Sequence, residues 1–367
     1  MRVLYFTHSY SPHDHRFLTV LSQGVHEVAY LPYAAEALSP PPDLPPGILS
    51  ISWPGIKHGW TLAHNIREFR RVLKNFKPDL VHAGPIQKSA LLTALAGFHP
   101  LVSMSWGSDI LLKAKSGIGR AQAGYALQRS DVFLCDCLAV KEKAMGLGMP
   151  EENIVVFPWG VDLDHFSPER GGQVQENLGW QDNFVLLSTR SMEPLYAVDV
   201  TVEAFIQAAA DNTAIRLLLL GDGSQREKLE TRLQEAGLAD RAHFAGRISL
   251  EELPDYYHAA DVYCSSSTSD GSSVSLLEAM ACGLPALVSN IPANLEWVTP
   301  GENGWIFPTG DPRKMAEVIL SAASDQEILR RHGINGRRVC EQRADWTKNS
   351  RMLLDAYALA AGRTGEV

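Results

Sequence analysis

The sequence predicts an α/β protein made of two successive doubly wound parallel-sheet domains. Its 367 residues exceed what one ordinary core accommodates. Short apolar runs alternate with amphipathic stretches, the pattern of strands covered on both faces by helices. That alternation pauses at a Pro/Gly-rich segment, 158 to 168, and then starts again.

In the first half, strands are expected at 3–7, 27–32, 80–83, 101–105 and 132–136, with helices at about 15–22, 61–76, 88–97 and 118–128. Segment 39–54 contains Pro40-Pro41-Pro42 and Pro45-Pro46 and reads as an extended loop or edge connection. In the second half, strands are expected at 184–188, 216–220, 243–245, 262–265 and 286–289. Helices fit at about 199–210, 224–236, 250–259, 274–282 and 312–323. Asp311-Pro312 supplies the last of these with an N-cap and a proline at the first helical position. The expected domains are 1–165 and 166–345. A final helix within 346–367 has no strand after it and is expected to pack back on the first domain.

Composition narrows the function classes. Hydrophobic residues make up 45% and charged residues 20%, as in soluble globular proteins. Residues 1–165 carry 15 basic against 14 acidic side chains and the remainder 18 against 28, so no basic domain points to nucleic acid as a partner. The five cysteines are scattered, without a C-x-x-C pair or zinc spacing, and read as reduced thiols of a cytosolic protein with no metal. The chain runs from Met1 straight into a strand, so no signal peptide is expected. The longest apolar helix candidate, 90–98, falls far short of the roughly 20 residues that span a bilayer. Arg67, Arg70, Arg71, Lys74 and Lys77 flank Phe69, Leu73 and Phe76 on the 61–77 helix. Such a helix is either a solvated face or a peripheral contact to anionic lipid at the inner membrane face.

The most informative stretch is Ser269 to Pro285, SDGSSVSLLEAMACGLP. Small residues Gly271, Ser272 and Ser273 precede a helix beginning near Val274, whose free N–H groups offer partial positive charge to a phosphate. Glu278 lies about 6 to 7 Å further along the axis, at about 1.5 Å per residue, the distance from a diphosphate to ribose hydroxyls. Asp270 stands on the other side of the loop, where it could meet the group carried beyond the phosphates. This geometry suggests a nucleotide diphosphate-sugar. Arg190 ends an apolar strand, where a guanidinium can grip phosphate oxygens in two places.

Several stretches together resemble the retaining glycosyltransferases of family 4, which have the GT-B architecture of two facing Rossmann-like domains. They are Trp159-Gly-Val-Asp162, Arg190 with Glu193-Pro194, Leu220-Gly-Asp-Gly223, Phe244-Ala-Gly246, Asp261-Val-Tyr263, Asp270 to Gly283, Glu296-Trp297, Asn303-Gly304 and Asp345-Trp346 to Tyr357. The resemblance implies that the first domain binds the acceptor and the second a nucleotide-sugar. It implies catalytic roles for Asp270, Glu278 and Arg190: Glu278 on the ribose, Asp270 on sugar hydroxyls, and the N–H groups of Gly271 to Val274 on the diphosphate. Arg247 and Ile248, with Gly246, are expected beside the base. Transfer with retention, a UDP-sugar or a GDP-sugar as co-substrate, and no cofactor or metal are what the resemblance implies.

The chain departs from the family at four places. Asp270 replaces the usual glutamate. Tyr196-Ala197 stands where a lysine and a glycine are usual, which removes a phosphate counter-charge unless Arg247 or another base substitutes. Trp106, followed by Gly107, Ser108 and Asp109, stands where a histidine is common. Trp106 can line a sugar face or simply pack, and Asp109 can accept hydroxyl protons or cap a helix. The loop from His8 to Arg16 replaces a glycine-rich loop. His13, Asp14 and His15 there are expected to contact acceptor or donor, with N-capping as the other reading of Asp14. The activity expected is transfer to a hydroxyl of a glycan, lipid-linked or small-molecule acceptor. A sugar-nucleotide epimerase or hydrolase, and a non-catalytic nucleotide-binding partner of a glycosyltransferase complex, are the alternatives. Dehydrogenase chemistry is disfavoured because no G-x-G-x-x-G follows the first strand.

Overall fold

The computed structural model describes residues 1–34, 43–54, 62–169 and 173–363. Residues 39–42 of the proline-rich segment and residue 61 of the basic helix lie outside these. The chain divides into two compact units, Met1–Pro158 with the segment from Lys348 onward, and Trp159–Thr347. The division precedes the expected boundary at 165 because this segment belongs to the second unit. Val161 and Phe166 enter that unit's core, and Val161 bridges Asp345.

The first unit is a seven-stranded sheet of β1 (Arg2–Thr7), β2 (Glu27–Pro32), β3 (Leu49–Ser50), β4 (Leu80–Ala83), β5 (Leu101–Met104), β6 (Val132–Cys135) and β7 (Ile154–Val156), in the order 3-2-1-4-5-6-7. Every pairing is parallel. All residues of β4, β5 and β6 are buried, which is why these strands read as mainly apolar runs, broken only by His82 and Ser103. The second unit holds β8 (Phe184–Ser188), β9 (Ile215–Leu220), β10 (Ala242–Gly246), β11 (Val262–Ser265), β12 (Ala286–Ser289) and β13 (Gly304–Phe307), in the order 10-9-8-11-12-13, again all parallel. Strand order reverses between β1 and β4 in one sheet and between β8 and β11 in the other. Ligands of open parallel sheets bind beyond the carboxyl ends of the strands at such switch points.

Three strands, β3, β7 and β13, escape the sequence reading, because all three are short edge strands that are not fully buried. The expected helix at 88–97 is a π-helical turn, Ile86–Ala90, continued by Leu91–Ala96. The helix Leu62–Phe76 buries Phe69, Val72 and Phe76, and Phe69 stacks on Phe6 of β1. Its apolar face is therefore spent on the protein core, and two of its cations are engaged internally, Arg71 with Glu68 and Arg70 with the Ala96 carbonyl. Among the described residues no helix is long and apolar enough to cross a membrane, and the five cysteines are buried and form no disulfide.

The final helix, Arg351–Arg363, packs on β5 and β6 of the first unit. Tyr357, wholly buried, is linked by its hydroxyl to His82 Nδ1 of β4 at 2.7 Å. Burial pushes His82 down to about 3 from the ordinary 6.5. Below pH 6.5 the unfolded chain takes up a proton here that the folded chain refuses. Stability from this group is therefore lost as pH falls, by about 1.4 kcal/mol per unit until pH nears the folded value. His82→Gln keeps a partner for Tyr357 but does not titrate. The stability gap between wild type and this variant in urea titrations is expected to narrow by about 2 kcal/mol from pH 7 to pH 5. A pH-independent gap would contradict a neutral, buried His82.

Candidate functional site

At the switch point of the second sheet, Arg190 lies two residues past the end of β8 and Asp270 five past the end of β11. Their side chains meet: Arg190 Nη2 is 2.5 Å from Asp270 Oδ2. The other terminal nitrogen, Nη1, donates to Ser273 Oγ at 2.6 Å and to Ser275 Oγ at 3.1 Å. The guanidinium thus spans the start of the helix Val274–Ala281. Tyr263 of β11 extends the network, its hydroxyl 2.9 Å from Ser275 Oγ. Only 10% of the Arg190 side chain is exposed. Burial opposes its charge, but the Asp270 carboxylate together with the Tyr263 and Tyr196 phenols outweighs this, so the guanidinium holds its proton more firmly than usual.

The helix start is shaped for an anion. Ser273, the N-cap residue, has an extended backbone and makes no side-chain cap, its hydroxyl being used by Arg190. The first-turn N–H groups therefore keep the partial positive charge of a helix start. Ser272 Oγ is held by Trp297 Nε1 at 3.1 Å, which fixes the loop from below. Glu278 comes one turn later, buried, and its Oε2 accepts from the Tyr257 hydroxyl at 2.8 Å. The same hydroxyl reaches the Ser275 carbonyl at 3.2 Å. Burial first, and then the Glu278 charge, push the Tyr257 phenol well above its ordinary value, so it stays a donor. Tyr263, Ser275 and Trp297 lie in stretches that carry the family resemblance, but the sequence assigns them no partner, and Tyr257 is not marked at all because it reaches Glu278 from another helix.

Tyr196, in the position usual for lysine, packs its ring under the guanidinium, 4.2 Å from Arg190 Cζ. This cation–π contact orients Arg190 without adding charge. Ala197 takes the left-handed conformation, φ 46°, where the family has glycine, and Ser266 Oγ fixes its carbonyl at 2.6 Å. Arg247 and Ile248 follow β10 at the same sheet edge, Arg247 exposed and Ile248 packed against the core. Two concavities of about 640 Å³ lie elsewhere, one around Arg120 and Gln128, the other around Gly283 and Arg337. The cluster at Arg190 is a polar ledge of fixed donors.

In the first unit the expected contact residues divide. Both carboxylate oxygens of Asp14 are occupied, Oδ1 by the Tyr5 hydroxyl at 3.1 Å and Oδ2 by Ser11 Oγ at 2.5 Å, while Ser11 caps the helix Pro12–Ser22. Burial pushes Asp14 up to about 6 against these hydrogen bonds. Asp109 accepts from the N–H groups of Ile86 and Trp106 and from Ser105 Oγ, tying the loops after β4 and β5 together. Burial raises its pKa. The hydroxyl contact expected of these two acids is thus not offered by their carboxylates, which are turned to local donors. Trp106 lies over Gly84, where even a Cβ would meet its ring at 1.9 Å. His15 Nδ1 is 2.7 Å from the Tyr10 hydroxyl, and burial with Arg16 nearby pushes His13 down to about 4. Among the described residues no group of His, Cys, Asp and Glu could hold a metal ion.

Comparison with known proteins settles the family. Residues 14–165 match the family described as Glycosyltransferase Family 4, and residues 173–339 match Glycosyl transferases group 1. The chain belongs to glycosyltransferase family 4 and has the GT-B fold. A D-inositol 3-phosphate glycosyltransferase of Geodermatophilus obscurus is 30% identical over 58% of this chain and 49% of its own length. A phosphatidyl-myo-inositol mannosyltransferase of Mycobacterium leprae is 27% identical over 56% of this chain and 54% of its own. The chain spans about half the length of the curated relatives it matches. Among solved structures, Anabaena HepE in complex with UDP has a TM-score of 0.82 at 19% identity, with 98% of this chain and 100% of that one covered. A sucrose-phosphate synthase from Thermosynechococcus elongatus has a TM-score of 0.79 at 18% identity, with 98% of each chain covered. At these identities the likeness is one of fold.

Proposed function

We propose that this family 4 member is a retaining, metal-independent glycosyltransferase that moves a sugar from a UDP-sugar, or a GDP-sugar, to a hydroxyl of an acceptor bound by the first unit. The observation that carries this reading is the guanidinium of Arg190 spanning the start of the helix that bears Glu278, with Asp270 on the same fork. A diphosphate arriving at that helix start competes with Asp270 for Arg190. Once displaced, Asp270 is free to accept from sugar hydroxyls, while Glu278, held by Tyr257, accepts from the ribose. In the reaction the bond from the anomeric carbon to the diphosphate oxygen breaks and the acceptor oxygen bonds to that carbon on the same face. The acceptor proton leaves with the diphosphate. Arg190 and the first-turn N–H groups meet the charge that grows on the departing oxygen, the role a divalent cation would otherwise fill. A UDP-sugar is favoured because HepE, similar in fold, is described in complex with UDP-glucose.

The test is a donor screen by thermal shift with UDP, GDP, ADP and their sugars, followed by mass detection of product and NMR of its anomeric proton. Stabilisation by UDP or GDP, product with the donor's anomeric configuration, and a rate unchanged by EDTA are expected. Free altered sugar without acceptor would instead identify an epimerase or hydrolase, and nucleotide binding without turnover a non-catalytic partner.

A further inference from the structure

The switch point of the first sheet carries a cationic cluster that the donor chemistry does not use. His8 immediately follows β1, and Lys88 lies five residues past β4, the neighbouring strand where the order reverses. Lys88 Nζ is 2.7 Å from His8 Nε2. The ammonium can only donate, so His8 is neutral there, with its proton on Nδ1. That Nδ1 is buried and meets no hydrogen-bond partner. Two N–H bonds of Lys88 therefore remain for a ligand, while the buried Nδ1–H of His8 lacks an acceptor. Lys113, exposed on the turn after β5, adds to the positive potential at both.

What marks this cluster is that three basic side chains stand near one another without a counter-charge. Elsewhere in the same unit Arg2 pairs with Glu27, Arg71 with Glu68 and Lys141 with Glu151. Among the described residues no carboxylate pairs with Lys88, Lys113 or His8. Burial first, and then the neighbouring cations, lower the proton affinity of His8 and Lys88. An anion arriving between them relieves that repulsion and supplies the missing acceptor.

We propose that His8, Lys88 and Lys113 form a subsite for a phosphate group carried by the acceptor. This rests on the reading of the first unit as the acceptor's. The phosphate could belong to a soluble phosphorylated polyol or to a lipid headgroup, and the chemistry of recognition is the same.

Calorimetric titration of the full chain with glycerol 3-phosphate, in saturating UDP so that the donor site is filled, tests it. Wild type is expected to bind glycerol 3-phosphate and not glycerol. Lys88→Met is expected to weaken binding by about 10- to 100-fold, the loss of one charged hydrogen-bonding partner, with an unchanged circular dichroism spectrum and melting curve as evidence of folding and an unchanged UDP affinity showing the donor site intact. Lys88→Arg should restore part of it. Equal binding by wild type and Lys88→Met, or no binding by wild type while UDP still binds, would overturn the subsite. Loss of UDP binding alongside intact, Lys88-dependent phosphate binding would strike the donor reading and leave the subsite standing. Vesicles of phosphatidic acid in phosphatidylcholine separate the two sources. Lys88-dependent flotation points to a lipid acceptor. Binding of glycerol 3-phosphate without flotation points to a soluble one.

Discussion

Arg190→Ala is expected to reduce transfer by about 100- to 1000-fold, the effect of removing one fixed donor from a developing oxyanion. Three features support the role proposed for Arg190: its two-pronged reach across the helix start, its small exposure, and the Tyr196 ring beneath it. Arg190→Lys keeps the charge but loses the fork, so it should recover only part of the rate. Glu278→Gln still gives Tyr257 an acceptor and should fold normally, yet weaken donor binding by about tenfold or more through loss of a charged acceptor for hydroxyls. Initial rates and nucleotide affinities measured side by side separate these effects. Near-normal rates in both Arg190→Ala and Glu278→Gln would remove the second sheet's switch point from the chemistry.

How far the sequence reveals this molecule depends on whether a feature is local. Strands buried on both faces announce themselves as apolar runs, and β2, β4, β8, β11 and β12 begin and end where the sequence places them. The sequence places Arg190 and Asp270 in loops that follow strands, but their meeting across 80 residues depends on β8 and β11 being neighbours, which only the structure reveals. Ser11-x-x-Asp14 has the form of a reciprocal cap, and local bonding explains why Asp14 turns inward. The partners of Glu278 and Ser272 could not be read, because Tyr257 and Trp297 approach from other elements and carry no periodic signal. Nor could the longest helix, Gln326–Arg343, whose many charges and two glycines disguise it as surface loop. Those glycines mark close packing, one of them against the turn that ends the donor helix.

Gly333→Ala is expected to destabilise the second unit by about 3 kcal/mol, at the upper end of what overpacking a dense core costs. A Cβ at Gly333 would stand 1.9 Å from the Gly283 carbonyl oxygen. That oxygen cannot easily withdraw. Gly283 has φ +74°, and its N–H, with that of Leu284, closes the C-terminus of the helix Val274–Ala281 onto Met280 and Ala279. Relief must therefore come from moving the two helices apart, and one of them carries Glu278. The variant should melt about 6 to 12 °C lower and bind nucleotide more weakly, although residue 333 touches no part of the proposed donor site. Gly336, one turn on, provides the control. A Cβ there would meet Met280 at 3.6 Å, ordinary contact, so Gly336→Ala should be neutral or gain up to about 1 kcal/mol from helix propensity. Equal melting temperatures for the two variants would show that the close approach at Gly283 does not hold the donor helix in place.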